Sequence, residues 1–252
     1  MIVGALSAVM ASPVVVAANS LSSEQQKDVE NIVHDYLVHH PEVLVEVSQA
    51  LQQKQQHNVQ EQAKTAIMDN AKELFGGTLG VVGNPKGAVT LVEFFDYQCI
   101  HCKKMATTMG ELVKKDHNLR VIYKEFPIFG KSSDVAAKVA LAAGMQGKYI
   151  LMHDGLLTTK KRLNDKVIMG IAKSVGLDMA QLQKDMNSKT VTEQLDANRQ
   201  LAEKMHLMGT PAFVIASTPA GQFDAKKEPT FIPGAADQDV LQEMIKKAGT
   251  KG

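Results

Sequence analysis

Apolar and polar positions follow two different periods along this chain. Val29, Ile32, Val33, Tyr36 and Leu37 recur at helical spacing behind Ser22 or Ser23, either of which can cap a helix. Pro41 opens a second helix. Val43, Leu44, Val47 and Leu51 form its stripe, the polar run Gln52 to Asn58 interrupts it, and Val59, Ala63, Ile67 and Leu74 resume it until Gly76-Gly77.

From Gly80 the period changes. Val89 to Phe95 is apolar apart from Thr90 and Glu93, and Leu119 to Phe126 is a second such run, the pattern of buried parallel strands. Lys103 to Met109, between them, forms a helix. Residues 133 to 206 are helical in period, with starts near Ser133, Asn164 and Thr190 and a break at Gly176. Strands return at Pro211 to Ala216 and Thr230 to Ile232, and a helix from Asp237 to Lys247 closes the chain. This order fits an α/β domain of the thioredoxin type interrupted by a helical insertion at about 130–206, and does not by itself exclude other α/β folds.

The arm at 19–77, roughly sixty residues, holds too few large apolar residues to hide its own stripes. It is expected to oligomerise, the alternative being a pair of helices folded back on the domain at 78–252. Composition adds little: with 44% hydrophobic and 22% charged residues and a formal charge of +1, no nucleic-acid partner is indicated. Residues 1–18 are uncharged, apolar or small, and end Val16-Ala17-Ala18, a pattern suited to signal-peptidase cleavage. The expected address is therefore the periplasm or another oxidising space, where disulfides persist.

The chemistry concentrates in Cys99-Ile100-His101-Cys102, which contains both cysteines of the chain. A disulfide over two intervening residues restrains little chain entropy, so a reversible switch is the better reading than a staple. An exchanger needs an exposed sulfur that attacks as thiolate and a second that resolves the mixed disulfide. A helix beginning at Cys99 puts that sulfur at the positive end of the helix dipole and shields Cys102 one turn on. His101 is expected to stabilise the thiolate, whereas Lys103 and Lys104 fit a solvated face. Glu93, in an apolar strand, is expected to be buried with a raised pKa, ready to exchange a proton with Cys102. Thr210-Pro211 precedes the strand at Ala212. If its bond is cis, the backbone of Thr210 is open to an extended substrate beside the sulfurs. No second cysteine pair accompanies the scattered histidines, so no structural zinc is expected. The cysteine pair carries the electrons and no cofactor is required.

Val92 to Cys102, Gly147-Lys148-Tyr149 with His153-Asp154, and Gly209-Thr210-Pro211 together resemble the DsbA-like thiol:disulfide oxidoreductases over roughly residues 80–248. The resemblance implies a thioredoxin fold with an inserted helical domain, Cys99 as nucleophile, Cys102 as resolving thiol, Glu93 as buried acid and Pro211 as cis-proline. Ile100 stands where many members carry proline. His39 to Leu44 looks like the N-terminal extension of members that form oligomers. The expected partners are reduced or misfolded exported proteins and a membrane protein that recycles the thiols. Oxidase and isomerase activities share these residues: the arm leans toward an isomerase, the surroundings of Cys99 toward an oxidase. The alternative from another class is a non-catalytic envelope chaperone or antigen with a vestigial redox site.

Overall fold

The computed structural model describes residues 21–77 and 79–250, so the expected export signal at 1–18 lies outside the described residues. Two compact units meet between Gln56 and His57.

The first unit begins with α1 (Ser23–His39), where Ser22 accepts from the Gln25 amide and the Gln25 side chain accepts from the Ser22 amide. Two of the donors left free at the helix start are satisfied reciprocally. No residue of α1 is buried, and Ile32, Tyr36, Leu44 and Val47 are all more than half exposed. After Pro41 comes α2 (Glu42–Asp69), 28 residues without a break. The run Gln52 to Asn58 does not interrupt it, because Gln and Lys are good helix formers whether or not they face apolar neighbours.

The border between units differs from the expected 77/78. Ala63, Ala66 and Ile67 of α2 are buried, as are Leu74, at the end of α3 (Ala71–Leu74), and Phe75. They pack with Val92, Phe94, Ile122 and Phe231, so the last turns of α2 belong to the second unit.

That unit is built on a five-stranded sheet of β1 (Val81–Gly83), β2 (Val89–Phe95), β3 (Leu119–Glu125), β4 (Ala212–Ser217) and β5 (Thr230–Pro233), in the order β1-β3-β2-β4-β5. Only β2 and β3 are parallel, joined through α4 (Ile100–Lys115); the other pairs are antiparallel. The continuous apolar runs therefore report burial on both faces and not strand direction. β1 was not foreseen as a separate strand, being three residues long. Gly80, at φ +80°, leads into it where a Cβ would meet the Tyr123 carbonyl oxygen at 2.6 Å.

The insertion is α5 (Lys131–Met145), α6 (Tyr149–Thr158), α7 (Asp165–Ser174), α8 (Met179–Asp185) and α9 (Lys189–Lys204), and α10 (Gln238–Gly249) closes the domain. Odd-numbered residues of β2 face one layer: Val89, Leu91 and Phe95 pack with α4, α5, α6 and α10. Even-numbered Val92 and Phe94 face the other, with the end of α2 and with α3. On that second face Arg120 donates to the carbonyls of Phe75 and Gly221, and buried Lys124 to those of Glu73 and Gly76. Two cations of β3 thus cap the carbonyl end of α3, where the helix dipole is negative. Burial lowers the Lys124 pKa to about 8.

Candidate redox site

β2 ends at Phe95, and the chain turns through Asp96 to Gln98 into α4, whose N-cap is Cys99. The Cys99 sulfur accepts from the Cys102 amide at 3.4 Å and, as a thiol, donates to the Thr210 carbonyl at 3.2 Å. Both cysteines are free. The hydrogen bond from the Cys102 thiol, helped by Thr210 and the amides of Cys102 and His101 and opposed by burial, lowers the Cys99 pKa to about 5. Cys102 is driven the other way: its bond to Cys99, its burial and the nearby Glu93 all favour the thiol. The site therefore separates a thiolate from a proton-holding thiol across one helical turn.

Two sequence expectations meet a different geometry. Cys99 is only 3% exposed, because the N-cap is flanked by the Thr210 loop. His101 is exposed, and it reaches the sulfur through its backbone amide and not its ring. Residues two apart on a helix do not share a face, so adjacency in sequence did not bring the imidazole to Cys99. Neither lysine bonds to the sulfur: Lys103 donates to the Thr159 carbonyl and Lys104 is exposed.

Glu93 is 2% exposed, on the same face of β2 as Leu91 and Phe95 and paired in register with Tyr123 and Phe213. Burial first, and the charge of Cys99 second, raise its pKa to about 8. The Thr210–Pro211 peptide bond is cis.

Asp96 escaped the sequence reading, although an acid closing an apolar strand just before a cysteine was the available signal. Its Oδ1 accepts from the Gln98 amide at 2.6 Å and the Ser133 hydroxyl at 2.7 Å, and its Oδ2 from the amides of Ile128 and Phe129 at 2.7 and 3.1 Å. One buried carboxylate so ties the approach to Cys99 to the loop before α5. Behind it, Tyr97 and Tyr149 donate to Glu125 at 2.8 and 2.9 Å, and His153 Nδ1 lies 3.2 Å from the Tyr97 hydroxyl. Burial pushes Glu125 well above the usual carboxylate range despite those bonds, and pushes His153 down to about 3. Burial thus favours the uncharged form of both groups in this polar cluster of the core.

The description "DSBA-like thioredoxin domain" matches residues 90–246, and "Copper resistance protein ScsC N-terminal domain" matches residues 25–57. The crystal structure of BcfH from Salmonella enterica Typhimurium is similar to this chain, with 34% identity and a TM-score of 0.77, covering 90% of this chain and 97% of that one. Thiol:disulfide interchange protein DsbA of Bordetella parapertussis is 32% identical over 145 residues, 51% of this chain and 64% of its own length. Na(+)/H(+) antiporter NhaA 1 of Salinispora arenicola is 28% identical over 137 residues, which is 54% of this chain but only 21% of that much longer protein.

Proposed function

This chain belongs to the DsbA-like thioredoxin family of thiol:disulfide oxidoreductases, and we propose that it forms and isomerises disulfides in exported proteins of the bacterial envelope, using Cys99 as nucleophile and Cys102 as resolving thiol. The observation that carries this reading is the geometry at one helix N-terminus, where the Cys99 sulfur caps α4, accepts from the Cys102 amide and lies 3.2 Å from the carbonyl of Thr210 in the cis Thr210–Pro211 loop.

In the oxidising direction a client thiolate attacks Cys99 in the Cys99–Cys102 disulfide. The client–Cys99 disulfide forms as the Cys99–Cys102 bond breaks, and Cys102 leaves as a thiolate that takes up a proton. A second client thiolate then attacks the client sulfur and expels Cys99. Two electrons have moved from the client to the cysteine pair. A low leaving-group pKa speeds this last step and makes the disulfide oxidising, since it stabilises the reduced form. Glu93, with its pKa near 8, serves as the proton store for Cys102. Thr210 and Pro211 receive the client backbone beside Cys99, and His101 contributes its amide.

Isomerisation runs the cycle from the reduced enzyme, with Cys99 attacking a wrong disulfide and releasing it in a new pairing. The exposed apolar residues of α1 and of the first half of α2 support a homo-oligomer formed through the arm, whose several active sites raise the effective concentration at a captured client. The expected export signal supports a periplasmic address, and a membrane redox protein would reoxidise the pair.

Reactivation of scrambled ribonuclease in glutathione buffer, by residues 19–252 and by residues 57–252, tests the proposal. Reactivation by the longer chain alone supports arm-dependent isomerisation. Rapid oxidation of the reduced substrate by both, with poor reactivation, leaves an oxidase only, and inactivity in both assays refutes the reading.

A further inference from the structure

The loop between α6 and α7 carries Lys160-Lys161-Arg162, and α7 adds Lys166; the exchange steps above use none of them. Lys103 of α4 joins this group, because its Nζ donates to the Thr159 carbonyl at 3.4 Å. With Lys104, these segments hold six cations against two acids, Asp154 of α6 and Asp165 of α7, although the formal charge of the whole chain is only +1. Among the described residues none of the six cations enters an ion pair. The cation that acts on Asp154 is Lys114, outside the group.

A run of charge on a loop is commonly a solvated surface and nothing more, but this loop is pinned at several points. Leu163 is buried in the main core, Asn164 Oδ1 accepts from the Val167 amide at 3.0 Å, and Thr159 Oγ1 accepts from the Lys161 amide at 3.3 Å. The Thr159 hydroxyl therefore keeps its own hydrogen for an acceptor. Behind the loop is a cavity of about 420 Å³ lined by Thr159, Lys161, Lys166, Val167, Ile171 and Ser174. Two ammonium groups and a hydroxyl suit a carboxylate, and Val167 and Ile171 suit the apolar stem that carries it.

Resting on the disulfide-exchange reading, we propose that this basic corner docks acidic client segments, a carboxylate three to five residues from the client cysteine entering the cavity of Lys161 and Lys166 while that cysteine exchanges with Cys99. Lys103 stands four positions after Cys99, about 6 Å of helix rise. An extended client advances about 3.3 Å per residue, so three to five residues span about 10–17 Å, which covers that rise and the Lys103 side chain beyond it. Exposed charges of this kind act chiefly on encounter: they raise association rates by a factor on the order of 10 or more at low salt, and salt screens them over about 8 Å at physiological ionic strength. The clients selected are reduced chains with Asp or Glu a few residues from a cysteine.

The test uses the oxidised full chain and two dithiol peptides that differ only in having Glu or Gln at the positions three to five residues from each cysteine. In each reaction the peptide thiols become a disulfide, and the Cys99–Cys102 disulfide takes the two electrons and two protons. The docking site predicts a kcat/KM about tenfold higher for the Glu peptide at low salt, falling toward equality in high salt. The double variant Lys161→Gln/Lys166→Gln should abolish the preference, whereas Lys184→Gln/Lys189→Gln, on α8 and α9 and of the same net charge, should retain it. Equal kcat/KM for the two peptides, or a preference that both double variants reduce alike, overturns the site. So does an equal kcat/KM joined to binding of phosphatidylglycerol vesicles that Lys161→Gln/Lys166→Gln removes, which would make the corner a lipid surface. Oxidation of uncharged dithiothreitol by the unsubstituted protein separates the failures: if it proceeds while the peptides are served equally, only the docking site falls, and if it does not, the exchange reading falls as well.

Discussion

The Cys99 sulfur and the Thr210 carbonyl oxygen lie 3.2 Å apart although 111 positions separate the two residues in the chain. The insertion of five helices is spent between them, so the nucleophile and the loop that flanks it come together only when β4 has paired with β2. The electrostatics of Cys99 is thus a property of the folded sheet and not of the Cys-x-x-Cys segment alone.

A thiolate absorbance titration of the reduced protein is expected to show a midpoint near pH 5, lost in Cys99→Ser. The folded pKa is depressed below the ordinary thiol value of 9.0. The stability it confers is complete above pH 9 and is lost as pH falls through about 5. Thermal melts should therefore show the reduced form gaining on the disulfide form between those values. His101→Ala should move the midpoint by less than about 0.5, since a ring in solvent is screened.

Glu93 has the opposite sign. Its folded pKa of about 8 lies above the ordinary 4.5, so the folded state holds a proton that the unfolded state releases, and stability falls as pH rises from about 4.5 to 8. Glu93→Gln should flatten that slope in melts of either redox form. The same variant should slow turnover by a factor on the order of 10², the usual loss when a proton-transfer group is removed.

Asp96→Asn cannot satisfy its four donors, because an amide nitrogen must face either Gln98 and Ser133 or Ile128 and Phe129. Losing bonds to a buried carboxylate costs about 1.5–3 kcal/mol each. Chemical denaturation should register a destabilisation of about 3 kcal/mol, and the Cys99 titration should move toward ordinary thiol values. An unchanged titration would make Asp96 a stabiliser of the loop alone.

Two truncations should behave differently. Residues 57–252 retain Ala63, Ile67, Leu74 and Phe75 and should melt cooperatively as a monomer, with the loss of oligomer read by light scattering. Residues 78–252 expose the face of Val92 and Phe94; deleting large core side chains costs about 2–5 kcal/mol apiece, so this shorter chain should be unfolded or aggregated.

Residues with local signals were legible in the sequence. The strand before Cys99, the helix after it and Glu93 could be read because an apolar run, an N-cap position and a lone acid each act within a few residues. The start of α6 could not: Tyr149, Met152, His153, Leu156 and Leu157 are buried along one face, but Ile150 and Leu151 put apolar side chains on the exposed face too and blur the amphipathic period. The border at His57 was hidden because Val59, Ala63 and Ile67 continue the same stripe as Leu51, and only the sheet beneath distinguishes them. The four bonds of Asp96 reach Ile128, Phe129 and Ser133, residues that no short-range pattern connects to it.

The alternation of β2 has one more consequence. Val92 and Phe94 answer to the N-terminal helices, Leu91, Glu93 and Phe95 to the redox helix, and no side chain of the strand serves both. The strand is a partition: compensating substitutions can accumulate on one side without retuning the thiols on the other. A chain built this way can exchange its amino-terminal helices over evolutionary time and keep the same chemistry, or adjust its sulfurs while keeping the same helices.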